Sequence, residues 1–455
     1  MKKIGKIFII IILAIVLVAA GITAFLTITE FKPEEEEVLD VTGVTEKKLN
    51  EGGELTLLTY NIGYGGLSAD MDLYTEGGEG VKASTESLIN RNLDCIRLLM
   101  KEQNCDVLML QTVDKKAERS FKVDEVTYLR SLFPGLSSYA QNYKCKFIPL
   151  PLRDPLGSVD SGLLTINRFP VTESDRLALA SGYSWPMKLF KPKNCLQVQR
   201  VLLGEIPPAE VKAEEEPAAT EEEKEGEEDE KEKEKKKKKD DEPAPVSIPS
   251  NGGPELIIVN AHFESLDGGS IKIEQTKALA NFVKDEYAKG NYVIIGGTFN
   301  QTFPGSDSTL YPLRDTSNFL PGVLEETLFG EGWSFAYDQR TPTARLCNTP
   351  YSELDPYAQL YVIDGFITSP NVSVKGVYTI DTGFKFSNHQ PVKLRVQLKA
   401  SGMAVIGQPE PQPAAETADA TGGAVAAPGM TAGNGGFAIG EGVLATDGTI
   451  IEGTN

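Results

Sequence analysis

Six apolar runs of this chain end on residues drawn from one narrow polar set, which restricts its fold to one that can gather strand ends at a single place. Leu57 to Tyr60 runs into Asn61, and Leu108 to Leu110 into Gln111, Thr112 and Asp114. Ile257 to Val259 runs into Asn260 and His262, and Val293 to Gly297 into Thr298 and Asn300. Tyr361 to Ile363 meets Asp364, and Ser387, Asn388 and His389 precede Pro391 and Val392. Any one such residue is ordinarily a turn former. The series, which takes in both histidines of the chain, points to one polar site at the mouth of a sheet.

Between these runs the pattern alternates. Leu55 to Asn61 and Asp106 to Val113 read as strands on either side of a helix at Ser87 to Glu102. A helix at Ser270 to Lys289 is followed by a strand at Tyr292 to Gly296. The class is α/β with helices outside sheets, and alternation alone also allows a doubly wound sheet.

Ile7 to Thr29 carries no charge and is long enough to span a bilayer as a helix. Lys2, Lys3 and Lys6 before it and Glu34 to Glu37 after it place 1–6 in the cytoplasm and the rest outside, with 30–53 as an acidic stalk. A cleaved signal is the other reading, although Ala19, Ala20 and Gly21 make a poor cleavage site and the apolar run continues past them. The domain proper is expected over 54–400. Within it, 205–253 is mostly charge and is expected to be a disordered insertion between the strands Cys195 to Leu203 and Glu255 to Phe263. The Gly, Ala and Pro-rich stretch 401–455 is expected to be a flexible tail, with Phe437 to Ile451 as a weak strand or docking peptide.

The formal net charge of -20 argues against a nucleic-acid partner. Cys95, Cys105, Cys145, Cys195 and Cys347 are too scattered for a zinc site; buried thiols are the simple reading, and one disulfide is also compatible with an oxidising compartment. Neither a Gly-x-Ser-x-Gly elbow nor a phosphate loop with its Lys is present.

In order along the chain, Thr59-Tyr60-Asn61-Ile62, Leu110-Gln111-Thr112-Val113-Asp114, Asn260-Ala261-His262, Gly297-Thr298-Phe299-Asn300, Ile363-Asp364 and Ser387-Asn388-His389 resemble the motif series of the endonuclease/exonuclease/phosphatase superfamily. Ser161 to Leu164 and Arg168 to Val171 agree more weakly. The resemblance implies a four-layer α/β sandwich, with two face-to-face, mostly antiparallel sheets flanked by helices. It further implies Mg²⁺- or Mn²⁺-dependent hydrolysis of a phosphoric ester, with a metal-binding Glu, an Asp base and a His oriented by Asp.

Here Thr112, Thr298 and Asn388 stand where that family carries acids, while Asn61, His262, Asn300, Asp364 and His389 remain. Without carboxylates bound directly to it a hard Mg²⁺ ion is not dehydrated, so no cofactor is expected in the native form. The remaining donors, Asn61, His262, Asn300 and His389, suit a phosphate-bearing small molecule or lipid headgroup, and the chain reads as a pseudoenzyme. Two alternatives stay open. One is a slow hydrolase with a metal shifted to Asp114 and Asp364, since Asp114 lies two residues beyond Thr112 on a strand and would face the same way. The other is an envelope interaction protein acting through its charged insertion and tail.

Overall fold

The computed structural model describes residues 2–45, 47–131, 133–207, 244–265 and 269–400. Helix α1 (Lys2–Ile28) leads into β1 (Glu36–Val38), β2 (Thr42–Gly43) and β3 (Glu54–Asn61). Then come α2 (Glu86–Gln103), β4 (Val107–Asp114), α3 (Glu125–Arg130), β5 (Leu136–Ile148), β6 (Gly157–Asn167), β7 (Val171–Ala178) and β8 (Cys195–Leu202). The second half holds β9 (Glu255–His262), α4 (Ser270–Ala288), β10 (Tyr292–Thr298), β11 (Gln301–Thr302), β12 (Gly322–Val323) and β13 (Ser334–Ala336). It ends with β14 (Ala344–Arg345), β15 (Leu360–Tyr361), β16 (Asp364–Thr368), β17 (Val372–Thr379) and β18 (Val392–Leu398).

Two seven-stranded sheets result, ordered β1-β7-β8-β9-β10-β16-β13 and β17-β18-β3-β4-β6-β5-β2. Each contains one parallel pair, β9 with β10 and β3 with β4, joined through α4 and α2. All other pairings within the two sheets are antiparallel.

Strand alternation decides the layers. Leu55, Leu57, Val107 and Met109 meet Leu256, Ile258, Tyr292 and Ile294 between the sheets. Their sequence neighbours Leu58, Tyr60, Leu108 and Leu110 turn outward against Ile89, Leu93 and Ile96 of α2. Ile257, Val259, Val293 and Ile295 do the same against Leu279, Ala280 and Val283 of α4. The arrangement is the four-layer sandwich that the motif series implied. Thr85 caps α2 by accepting from the Leu88 amide at 3.1 Å, and Asn104 closes the helix in the left-handed region.

Toward the site the inward rows change from apolar to amide. Asn260 donates to the Leu110 carbonyl at 3.1 Å and accepts from Gln111 Nε2 at 2.7 Å, and Gln111 also reaches Thr59 Oγ1 at 3.0 Å. Gln197 and Gln199 extend this layer to Ser138. These buried amides tie the sheets together, so Gln111 and Asn260 support the site from behind.

Three expectations about organisation change. Residues 36–43 are no free stalk: β1 pairs with β7, β2 pairs with β5, and Val41 and Leu49 are buried in the inter-sheet core. Short, charged edge strands are a usual way of blunting a sheet edge, and four consecutive acids conceal that role in a sequence. The distal shoulder of the insertion also belongs to the domain, because Ile248 joins the core and the Val246 amide donates to the Val41 carbonyl at 2.7 Å. Residues 208–243 and 401–455, including the expected docking peptide, lie outside the described residues. Finally, α1 begins at Lys2, so Lys3 and Lys6 lie in its first turns. It is long and apolar enough to cross a membrane. The five cysteines are free thiols, four of them buried, and burial pushes Cys105 and Cys195 up to about 11.

Candidate functional site

The inward faces of β3, β9 and β10 open at their C-terminal ends into a cavity of about 400 Å³. Asn61, Thr112, His262, Asn300, Asn388 and His389 all line it. Asp364 and Thr298 sit directly behind. His389 Nδ1 lies 2.9 and 3.1 Å from the two Asp364 carboxylate oxygens, so with Asp364 ionised that nitrogen carries the proton and Nε2 is left for a ligand. Thr298 Oγ1 donates to Asp364 Oδ1 at 2.6 Å and accepts from Asn61 Nδ2 at 3.3 Å. The residue in the family's base position thus links Asn61 to the Asp364–His389 pair. A hydroxyl held this way has no proton-accepting power comparable to a carboxylate's.

Backbone strain collects around the cavity. Tyr64, Thr112 and Asn300 all take positive φ, 45°, 56° and 54°. Asn tolerates that region; a β-branched Thr there is a true outlier. The Thr112 conformation accompanies a register shift between Leu110 and Val113 in the β4–β6 ladder.

That bulge overturns the expected role of Asp114. Simple alternation would have put it on the Thr112 side, but Asp114 is fully buried and is absent from the cavity wall. Arg119 Nε and Nη2 grip its two oxygens at 3.0 and 2.7 Å, and Ser120 Oγ adds a bond at 2.8 Å. Asp114 is the anchor of an arginine and does not present a carboxylate to a shifted metal.

Arg119 itself reaches the cavity, its guanidinium carbon 4.2 Å from the centre of the Tyr64 ring and Nη2 3.2 Å from Ser161 Oγ. Burial works against its charge, but the Asp114 carboxylate outweighs this and holds the pKa above its ordinary value. Sequence reading missed this cation because it lies beyond the strand, in a loop without periodicity. Arg345 was missed because it stands on β14, a strand of two residues and too short to show a period. It lines the cavity and donates through Nη2 to the Ser68 and Met71 carbonyls, both at 2.7 Å. Lys191 also lines the cavity, its ammonium 4.8 Å from the Tyr183 ring centre. Glu76 and Glu264 are the acids on the wall; burial pushes the Glu76 carboxyl up.

This set does not fit the divalent metal that the family resemblance implies. Among the described residues no group of three His, Cys, Asp or Glu side chains is placed to hold a metal ion. Thr112 and Asn388 bring no charge, and Arg119 places a fixed positive charge on the wall. Such a lining lacks the carboxylates that a hard divalent ion needs.

Burial, and after it the neighbouring His389, push His262 down to about 4 from an ordinary 6.5, with Asp364 pulling the other way. The folded chain therefore holds a neutral His262 at pH 7. Between pH 6.5 and 4 the unfolded chain binds a proton at this position that the folded chain refuses, so stability is lost as pH falls through that window and this contribution is complete above it. His262→Gln is expected to flatten that part of the curve. Thermal unfolding from pH 7 to 4.5 checks it, and an unchanged slope would assign the titration to another group.

The sandwich, with its motif-bearing strand ends around one cavity, resembles the endonuclease/exonuclease/phosphatase fold that the motif series implied. Solved structures similar to the chain include the endonuclease/exonuclease/phosphatase from Beutenbergia cavernae, 13% identical over 77% of this chain and 73% of that one, with a TM-score of 0.47. Another is the endonuclease/exonuclease/phosphatase from Bacteroides vulgatus, 14% identical over 76% and 100%, with a TM-score of 0.42. The human Nocturnin catalytic domain with bound sulfate anion is 12% identical over 79% and 97%, with a TM-score of 0.40. No family model and no curated protein matches the chain.

Proposed function

We propose that this chain is a membrane-anchored pseudoenzyme that binds a phosphate-bearing ligand without a metal, with its domain outside the cytoplasm. The carrying observation is the exchange of charge at the site. Thr112, Thr298 and Asn388 stand where the family's acids would, and Arg119, fixed by Asp114, joins His262 and His389 on the same cavity. A bidentately held guanidinium is pre-organised for a phosphate oxygen and supplies charge that in the family would come from an ion. The sidedness follows from Lys3 and Lys6 at one end of α1 and Glu34 to Glu37 beyond the other.

The full chain in a maltoside detergent, carrying labelled histidine, provides the test, since its only two imidazoles are His262 and His389. Titrated inorganic phosphate is expected to shift both imidazole signals, with an affinity that neither a chelator nor added Mg²⁺ alters. Signals that stay fixed to saturating phosphate, or that move only with Mg²⁺ present, would defeat the reading.

A further inference from the structure

The end of α1 is docked beside the mouth of the cavity. Most of the helix is exposed, but Ile22 and Leu26 pack with Ile148, Leu156 and Phe190, and these last three residues also line the cavity. Just beyond the helix, Glu30 pairs with Lys188 at 3.6 Å and Lys193 at 3.4 Å, which holds the rim loop 180–194 to the chain leaving α1. A helix apolar enough to cross a bilayer fixes the membrane surface near its end, and a rim tied to that end lies at the same height.

The rim has the composition such a position calls for. Trp185 Nε1 donates to Thr27 Oγ1 at 3.1 Å, and the ring is 57% exposed, so an indole stands level with the last turn of α1. Trp at the boundary between lipid and water is where its amphipathic ring is most stable. Leu150 and Leu152, in the neighbouring loop between β5 and β6, are 52% and 83% exposed, and Met187 is 49% exposed. Leu150 and Met187 belong to the cavity wall itself. Exposed apolar side chains around the mouth of a cavity that holds Arg119, His262 and His389, continuous with a membrane helix, match an occupant that is apolar outside and anionic inside. Lys191 adds a cation to the cavity wall.

We propose that the cavity opens onto the bilayer surface from which α1 emerges and admits the headgroup of one membrane phospholipid, its phosphate toward Arg119, His262 and His389 and its acyl chains remaining in the bilayer. This rests on the phosphate-binding reading above and adds the source of the ligand and the orientation of the site. The occupant is a lipid because the rim is built into the anchor; a freely diffusing phosphate compound would gain nothing from a rim of Leu150, Leu152 and Trp185.

The test uses the full chain with Trp333→Phe, which leaves Trp185 as its one tryptophan, in maltoside micelles and in phospholipid nanodiscs. Lipids brominated high on the acyl chains are expected to quench Trp185 strongly. Inorganic phosphate, followed by the imidazole signals of His262 and His389, is expected to bind in maltoside and to bind about tenfold more weakly in the discs, as it would if a headgroup occupied nine sites in ten. Equal phosphate affinity in both media, or an unquenched Trp185, would overturn the membrane-facing site while leaving phosphate binding in place. Phosphate that fails to bind even in maltoside would overturn the underlying reading and this one with it.

Discussion

Arg119→Met is expected to destabilise the chain by about 3–5 kcal/mol and to remove phosphate binding, because one side chain does two jobs. Asp114 has no exposed surface, and its carboxylate is gripped at both oxygens by Arg119, whose own side chain is 12% exposed. Taking away the guanidinium leaves a charge in the interior with only Ser120 to compensate it. The neighbourhood is already unfavourable to charge. Glu125 accepts from the Asp114 amide at 2.8 Å, and burial, followed by the Asp114 charge, pushes its carboxyl well above the usual range. The double variant Asp114→Asn, Arg119→Met separates the two effects. It should recover most of the lost stability, since no buried ion is orphaned, yet bind phosphate no better than the single variant. Thermal unfolding of the full chain in detergent gives the first quantity and phosphate titration the second. A double variant that regained phosphate affinity would show that Arg119 acts only as a prop for Asp114.

The sequence exposed the site through the polar residues that end its apolar runs, and it failed where it relied on strand parity. Asn61, His262 and Thr298 end inward rows whose earlier members, Leu57, Ile258 and Ile294, are core, so polar residues at the ends of apolar runs were enough to mark them. Asp114 follows a bulge with Thr112 in a left-handed conformation, which nothing in Gln111-Thr112-Val113 announces, and the count of two residues therefore pointed the wrong way. Arg119 comes from a connection and Arg345 from the two-residue β14, and neither segment is long enough to carry a period that says which way a side chain turns. The edge strand Glu36–Val38 was concealed by the charges that suit an edge, and Thr42–Gly43 by its length of two residues. The docking of α1 was hidden for the opposite reason: a membrane helix is apolar all round, so Ile22 and Leu26 look no different from residues that face lipid.

Returning acids to all three exchanged positions, as Thr112→Glu, Thr298→Asp and Asn388→Asp, is expected to create a Mg²⁺-dependent stability that the native chain lacks. The decisive contact is at Thr298, whose hydroxyl is 2.6 Å from Asp364 Oδ1. A carboxylate there faces a second carboxylate in the interior, so without metal the two must share a proton or repel, and His389 loses the undivided partner that fixes its tautomer. The triple variant in chelator should therefore melt below the native chain. Mg²⁺ offsets the crowded charge, and at about a hundredfold over its Kd would return ~2.7 kcal/mol by binding only the folded state. The native chain has no such charge to offset. Its neutral Thr112 and Asn388 cannot repay the ion's dehydration, and Arg119 adds repulsion. Its melting temperature should be the same in chelator and in Mg²⁺. If Mg²⁺ instead raises the native chain's melting temperature as it does the variant's, the native cavity holds a metal despite its missing acids and the metal-free reading fails. If neither responds, the bulge at Thr112 and the charge of Arg119 have reshaped the cavity beyond what three acids can restore, and an added Asp114→Asn, Arg119→Gln pair, which orphans no buried charge, then tests which of the two is responsible.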